Sequence, residues 1–332
     1  MNSFARHHLA RRRLVKLAVV GASLTLAPAA VAAPARPAVK TGAPSAVTYQ
    51  SATLNGTVNP SNELTTYFFQ YGTTTKYGSQ TMPGTLAAGT RTVSVPSPVA
   101  GLVPVTKYHF RVVAVNATGA SLGADASFTT KSVPLSLAIA ALPNPVTFGS
   151  PLSVVGTLTG TGAANREVVL QGNPYPFTAG FQNVGFPGLT LATGVFGFNL
   201  LSLPVTTQFR VVSIGAGAPV LSPTVTEQVG LRVTMHVRTR RIRAGSYTMR
   251  FFGLVSPAEP GARVSVQRLV GSQWRLVMAT NAHSAGSGSS SYALTLHRRH
   301  GGFFRVFVTP VEGGHVANSS QPLLVHAGNG LL

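Results

Sequence analysis

Beyond the first forty residues, apolar and polar side chains alternate in short runs rich in Val, Thr, Phe and Leu. Gly, Pro, Asn or Ser interrupts these runs roughly every 8 to 12 residues. No stretch sustains the 3.6-residue period of a helix, so the pattern predicts strands with one face dry and one face wet. Phe-Arg-Val occurs at Phe110–Val112, Phe209–Val211 and Phe304–Val306, separated each time by about 100 residues, the length of one sandwich domain. A glycine between alternating apolar residues precedes each copy at a nearly constant distance, at Gly56, Gly156 and Gly253. Two landmarks in register predict an all-β chain of three tandem sandwiches over residues 44–131, 132–230 and 231–328, with joints near Pro134 and Gly230.

The N-terminus follows a different pattern. Arg6, Arg11, Arg12, Arg13 and Lys16 precede an apolar run from Leu14 to about Leu26, and small residues at Ala30 and Ala32 follow. This predicts an export signal over residues 1–32, cleaved after Ala32, since the apolar run falls short of the ~20 residues a membrane span needs. Arg11-Arg12-Arg13-Leu14-Val15-Lys16 fits a twin-arginine signal as well as an ordinary Sec signal. Residues 33–43 are expected to be a linker. The mature chain is then expected to lie outside the cytoplasmic membrane, secreted or at the cell surface, with no transmembrane span.

Residues 44–130 carry a family resemblance. Ala52-Thr53-Leu54-Asn55-Gly56-Thr57-Val58 reads as an early strand, and Thr65-Thr66-Tyr67-Phe68-Phe69-Gln70-Tyr71-Gly72 as a central one. Leu102, Pro104, Thr106 and Tyr108 follow as Leu-x-Pro-x-Thr-x-Tyr, leading straight into the first Phe-Arg-Val. This stretch resembles the fibronectin type III domains of secreted bacterial proteins. The resemblance implies that Tyr108 forms a tyrosine corner, with its ring in the core. It departs from the family in lacking the early-strand Trp, whose place Leu54 takes. The second and third domains resemble bacterial immunoglobulin-like repeats, through their similarity to each other.

Composition limits the chemistry. The 332 residues are 44% hydrophobic and 10% charged, which favours packed cores over disorder. Cysteine is absent, so disulfides, iron–sulfur clusters and thiol nucleophiles are excluded. Gly119-Ala120-Ser121-Leu122-Gly123 matches a nucleophile elbow in letters, but an elbow needs a strand running into a helix, and this segment lies between two late strands. The six carboxylates are spread two to a domain, which disfavours both a paired-carboxylate glycosidase and calcium bridging. His297 and His300 point to opposite faces if they lie on a strand, so no metal is expected there. Trp274 is read as packing against a sheet face rather than as a platform for a sugar. No catalytic, cofactor or metal residue is expected.

Charge is the one marked asymmetry. The formal net charge is +20, from 26 Lys plus Arg against 6 Asp plus Glu. The middle domain is neutral, and twelve of the arginines fall beyond residue 230. Alternation puts Arg232, His236, Arg238 and Arg240 on one wet face of a strand, and Arg241, Arg243, Arg298 and Arg299 are expected to extend it. Guanidinium forks suit anionic cell-wall polymers, acidic polysaccharides, lipid headgroups or nucleic acid, and another surface protein is the further partner expected. Specific nucleic-acid recognition is not expected, because no groove-reading helix is predicted and the basic residues are not interleaved with stacking aromatics. The reading is a monomeric, non-enzymatic, exported binding or adhesion-type chain. A passive structural spacer and an accessory extracellular enzyme with an interdomain site are the alternatives.

Overall fold

The computed structural model describes residues 33 and 35–326, apart from 216, 244, 245, 287 and 299. The expected export signal and Arg299 lie outside the described residues. Every regular element among the described residues is a β-strand. They gather into two compact units: one takes in 33–47, 51–101 and 106–129, and the other 48–50, 102–105 and 130 onward.

The first unit holds one sandwich. Lys107–Asn116, which carries the first Phe-Arg-Val, lies between Thr65–Gly72 on one side and Gly119–Leu122 and Ala126–Thr129 on the other. In the facing layer Gly56–Asn59 pairs with Ala38–Thr41 and Val93–Ser94. The expected linker over 33–43 is therefore corrected, because Ala38–Thr41 is a strand of the sandwich in register with Gly56–Asn59. Upstream of it, Asn116 Nδ2 donates to the Ala35 carbonyl at 2.7 Å. A run with no apolar period became a strand because backbone pairing at an edge asks little of its side chains. Leu54, Val58, Phe69, Phe110 and Val112 have essentially no exposure. Each such large side chain contributes about 1.5–3 kcal/mol on burial. Tyr108 is buried and stacks on Phe128 at 5.8 Å between centroids.

The second unit holds two sandwiches built on the same plan. In the earlier one, Ser136–Leu142, Leu152–Thr159 and Val195–Leu200 face a sheet centred on Glu167–Pro174 and Thr207–Ile214. In the later one, His236–Arg243, Ser246–Ser256 and Ser290–Arg298 form one layer, while Gln273–Asn281, Arg263–Val270 and Gly302–Thr309 form the other. Phe209, Val211, Phe304 and Val306 are fully buried, and Phe304 meets Phe251 at 5.2 Å. The upstream glycines share a reason as well. A Cβ at Gly56 would press on the Phe69 ring, one at Gly156 would collide with the Phe196 ring and the Ala138 carbonyl, and one at Gly253 would collide with the Thr234 carbonyl.

Within this unit the two sandwiches meet at a joint of backbone bonds and one imidazole. Val316 N donates to the Val229 carbonyl at 2.9 Å, and Thr206 N to the Gly314 carbonyl at 2.9 Å. His315 Nδ1 lies 2.9 Å from Glu259 Oε1, and its Nε2 lies 2.9 Å from the Pro204 carbonyl. Both neighbours offer oxygen acceptors, so the ring serves both when each nitrogen carries a hydrogen. With little exposure on either side chain, removing the ring leaves a nearly buried carboxylate without its partner. His315→Ala is expected to lower stability by about 3 kcal/mol and to split the thermal unfolding of residues 130–326 into two transitions in calorimetry. A single, unshifted transition would contradict the joint.

Glu227 is a second buried carboxyl. It has no solvent exposure, and its Oε1 accepts from Val146 N at 3.0 Å. Its Oε2 has no hydrogen-bond partner. Burial pushes the acid up from 4.5 to about 7, against the lowering effect of the Val146 bond. A raised folded-state value makes its contribution fully present below pH 4.5 and lost as pH rises through about 7. Denaturant titrations over that window should lose on the order of 3 kcal/mol, and Glu227→Gln should flatten the slope. An unchanged slope in that variant would exclude Glu227 as its source.

Candidate functional site

The cationic face of the last sandwich is built by strand register. Along His236–Arg243, Val237 points into the core while His236, Arg238 and Arg240 are exposed. On the neighbouring Ser246–Ser256, Phe252, Arg250 and Thr248 stand directly opposite His236, Arg238 and Arg240. Ala293, Thr295 and His297 continue the same rows on Ser290–Arg298. Directly opposed side chains in such a sheet have Cβ atoms ~4.5–5.5 Å apart. The result is a three-strand surface with Arg238, Arg240 and Arg250 grouped on it. Among the described residues the ion pairs are His109–Asp125 and His315–Glu259, so no carboxylate neutralises this group.

Phe252 is the centre of the arrangement. The Arg238 guanidinium carbon lies 5.4 Å from its ring centroid and that of Arg250 5.9 Å. The His236 ring stacks on it at 5.5 Å with 29° between the planes. Beside it opens a cleft of about 660 Å³ lined by Thr234, His236, Arg250, Leu254 and His283, among others. Thr234, on its wall, falls where the strand is interrupted between Arg232–Val233 and His236–Arg243. Glycine at 253 leaves room for the Thr234 carbonyl, which accepts from the buried Tyr292 hydroxyl at 2.6 Å. Ala293, opposite Phe252, adds little bulk to the wall.

The expected extension of this face needs correction. Arg241 stands opposite Tyr247, which stands opposite Arg298. Being one residue out of phase with Arg240 and His297, Arg241 and Arg298 project from the other side of the sheet, at its end. Arg232 keeps the phase of Arg238, but its guanidinium reaches Gly149 of the preceding sandwich, with Nη2 3.0 Å from where a Cβ there would stand. Arg243 follows a register shift after Arg241, and its side chain lies outside the described residues. Arg250, Phe252 and His283 were missed by sequence reasoning. The signal was available for the first two, because Arg250 and Phe252 share the even phase of their strand.

Each Phe-Arg-Val also carries a polar counterpart to its core residues. Arg111 Nε donates to Gln70 Oε1 at 2.9 Å, Arg210 Nε to Gln171 Oε1 at 2.8 Å, and Arg305 Nε to Gln267 Oε1 at 2.8 Å. The same guanidinia lie over Tyr77 at 4.7 Å, Phe181 at 4.2 Å and Trp274 at 4.6 Å. A Gln–Arg–aromatic clamp thus recurs on the outside of every sandwich. Trp274 is half-buried with Arg305 against one face of its ring. Burial lowers the Arg305 pKa from its ordinary value. In the first sandwich Tyr77 also donates to Asp125 Oδ1 at 3.1 Å, and His109 Nδ1 lies 2.8 Å from Asp125 Oδ2. Against the raising effect of burial, the hydrogen bonds of His109 and Tyr77 bring Asp125 below its ordinary range. Ser121 lies on the strand Gly119–Leu122, paired with Lys107–Asn116.

No family model and no curated protein matches the chain. Among solved structures, the FN1-FN3 domains of chicken CNTN1 share 12% identity with it, covering 88% of this chain and 98% of theirs at a TM-score of 0.29. A tetra-tandem repeat from the extending region of a large adhesion protein shares 15%, covering 88% and 74%, at 0.32.

The clamp is testable through the sole tryptophan. Arg305→Ala should shift Trp274 fluorescence and cost about 1–2 kcal/mol, from the cation–π contact and the Gln267 bond together. Unchanged emission and an unchanged denaturation midpoint would show that the clamp contributes nothing.

Proposed function

We propose that this chain is an exported, monomeric, non-enzymatic binding protein, whose last sandwich attaches to anionic polymers of the cell envelope. The observation that carries this reading is the grouping of Arg238, Arg240 and Arg250 on one sheet face with no carboxylate paired to them among the described residues. Unpaired cations on adjacent strands repel one another, since like charges directly opposite are destabilising. An anionic partner relieves that repulsion and binds with strong dependence on salt. Guanidinia serve this better than ammonium groups, because they lose less hydration on binding and engage oxyanions through a fork. The sandwiches preceding it serve to present this surface. The proposal assigns residues 1–32 the role of export signal.

The full mature chain, from Ala33 onward, should be retained on an immobilised anionic polysaccharide such as alginate or dextran sulfate. Retention should fall on the order of tenfold or more between 50 and 200 mM salt. Replacing Arg238, Arg240 and Arg250 together by Gln should remove most of it, whereas replacing Arg241 and Arg298 by Gln should leave most of it. Absent retention, or retention indifferent to salt, would favour a passive spacer.

A further inference from the structure

The cleft beside Phe252 has more specific chemistry than the charged face around it. Arg238 and Arg250 stand directly opposite each other on paired strands, and both lean over the same ring, at 5.4 and 5.9 Å. His236 stacks on that ring and adds an imidazole at the same place. Three nitrogen-bearing groups therefore converge on the space around one aromatic side chain. A carboxylate has two oxygens in one plane, and a single guanidinium fork fills it. A phosphate monoester carries up to two charges and three strong acceptor oxygens, enough for two forks approaching from different sides.

The rest of the cleft is of a different character. Past Arg250 it is lined by Phe252, Leu254, Thr234 and Ser291, with His283 at the rim. Phe252 and Leu254 offer apolar surface to the C–H face of a saturated ring. Thr234 Oγ1 accepts from Leu254 N at 2.9 Å and donates to the Leu254 carbonyl at 3.4 Å, which fixes it on the cleft wall with one lone pair left for a ligand. Two hydroxyls and an imidazole beside an apolar wall suit a ligand rich in hydroxyl groups.

From this geometry we infer that the Phe252 cleft is a sugar-phosphate subsite: Arg250 and His236, which line it, take the phosphoryl group together with Arg238, which stands outside the lining over the same ring, and the wall from Phe252 to Ser291 takes the sugar ring. The inference rests on the envelope-polymer reading and names the unit recognised, a phosphorylated sugar of an anionic glycopolymer.

The test is calorimetric titration of the full mature chain with glucose 6-phosphate, glucuronate, inorganic phosphate and adenosine monophosphate, alongside retention on alginate. Glucose 6-phosphate should bind on the order of tenfold tighter than glucuronate or inorganic phosphate. Arg250→Lys keeps the charge but removes the fork, so it should abolish the preference for glucose 6-phosphate over glucuronate. Phe252→Leu should weaken glucose 6-phosphate more than inorganic phosphate. Alginate retention with glucuronate bound as tightly as glucose 6-phosphate would overturn the subsite and leave the broader reading standing. Loss of both binding activities would overturn the two together. Inorganic phosphate as tight as glucose 6-phosphate would overturn it by removing the sugar's contribution, and adenosine monophosphate as the tightest ligand would overturn it in favour of a nucleotide.

Discussion

Three strands, one to a sandwich, set the terms for this molecule: each must bury Phe and Val completely and hold an arginine outside between them. Phe110, Phe209 and Phe304 have no solvent exposure, nor do Val112, Val211 and Val306. The intervening arginine is clamped between a glutamine amide on the adjacent strand and an aromatic ring. One tripeptide therefore orders a core and an outer surface at once, through the period-two geometry of a strand. Both halves depend on register, because a slip of one residue would bury Arg and expose Phe.

Much of the fold is legible in such a pattern because burial and strand period are both local. The positions of the glycines and of Phe-Arg-Val predict three sandwiches, and each glycine lies where neighbouring backbone or side chains crowd the place of a Cβ. What was not legible was set by contacts distant in sequence. Ala38–Thr41 carries no strand-like alternation of its own and is defined by pairing with Gly56–Asn59. The joint of Glu259, His315 and the Pro204 carbonyl unites residues from three separate loops. No spacing rule brings them together.

The candidate site divides in the same way. Phase along a single strand placed His236, Arg238 and Arg240 together. Whether residues from other strands join them depends on cross-strand register, which gathered Arg250 and Phe252 onto the face and sent Arg298 to the opposite side, where Arg241 also projects by the phase of its own strand. An arginine count does not distinguish these two sets, although they differ physically. One set surrounds an aromatic ring beside a cleft, while the other lies at the far end of a core-facing row. The grouping of like charges is a local cost that packing does not repay, which is where function is expected to reside.

Binding of an anionic partner through one sheet face of the last sandwich is a proposal that a single measurement can test. Amide chemical shifts of the isotopically labelled mature chain, recorded with and without a saturating anionic glycopolymer, would locate that face residue by residue. The account predicts that the largest shifts fall on His236–Arg240, Thr248–Phe252 and Ala293–His297. Shifts centred instead on Trp274 and Arg305, or on Arg241 and Arg298, would contradict it.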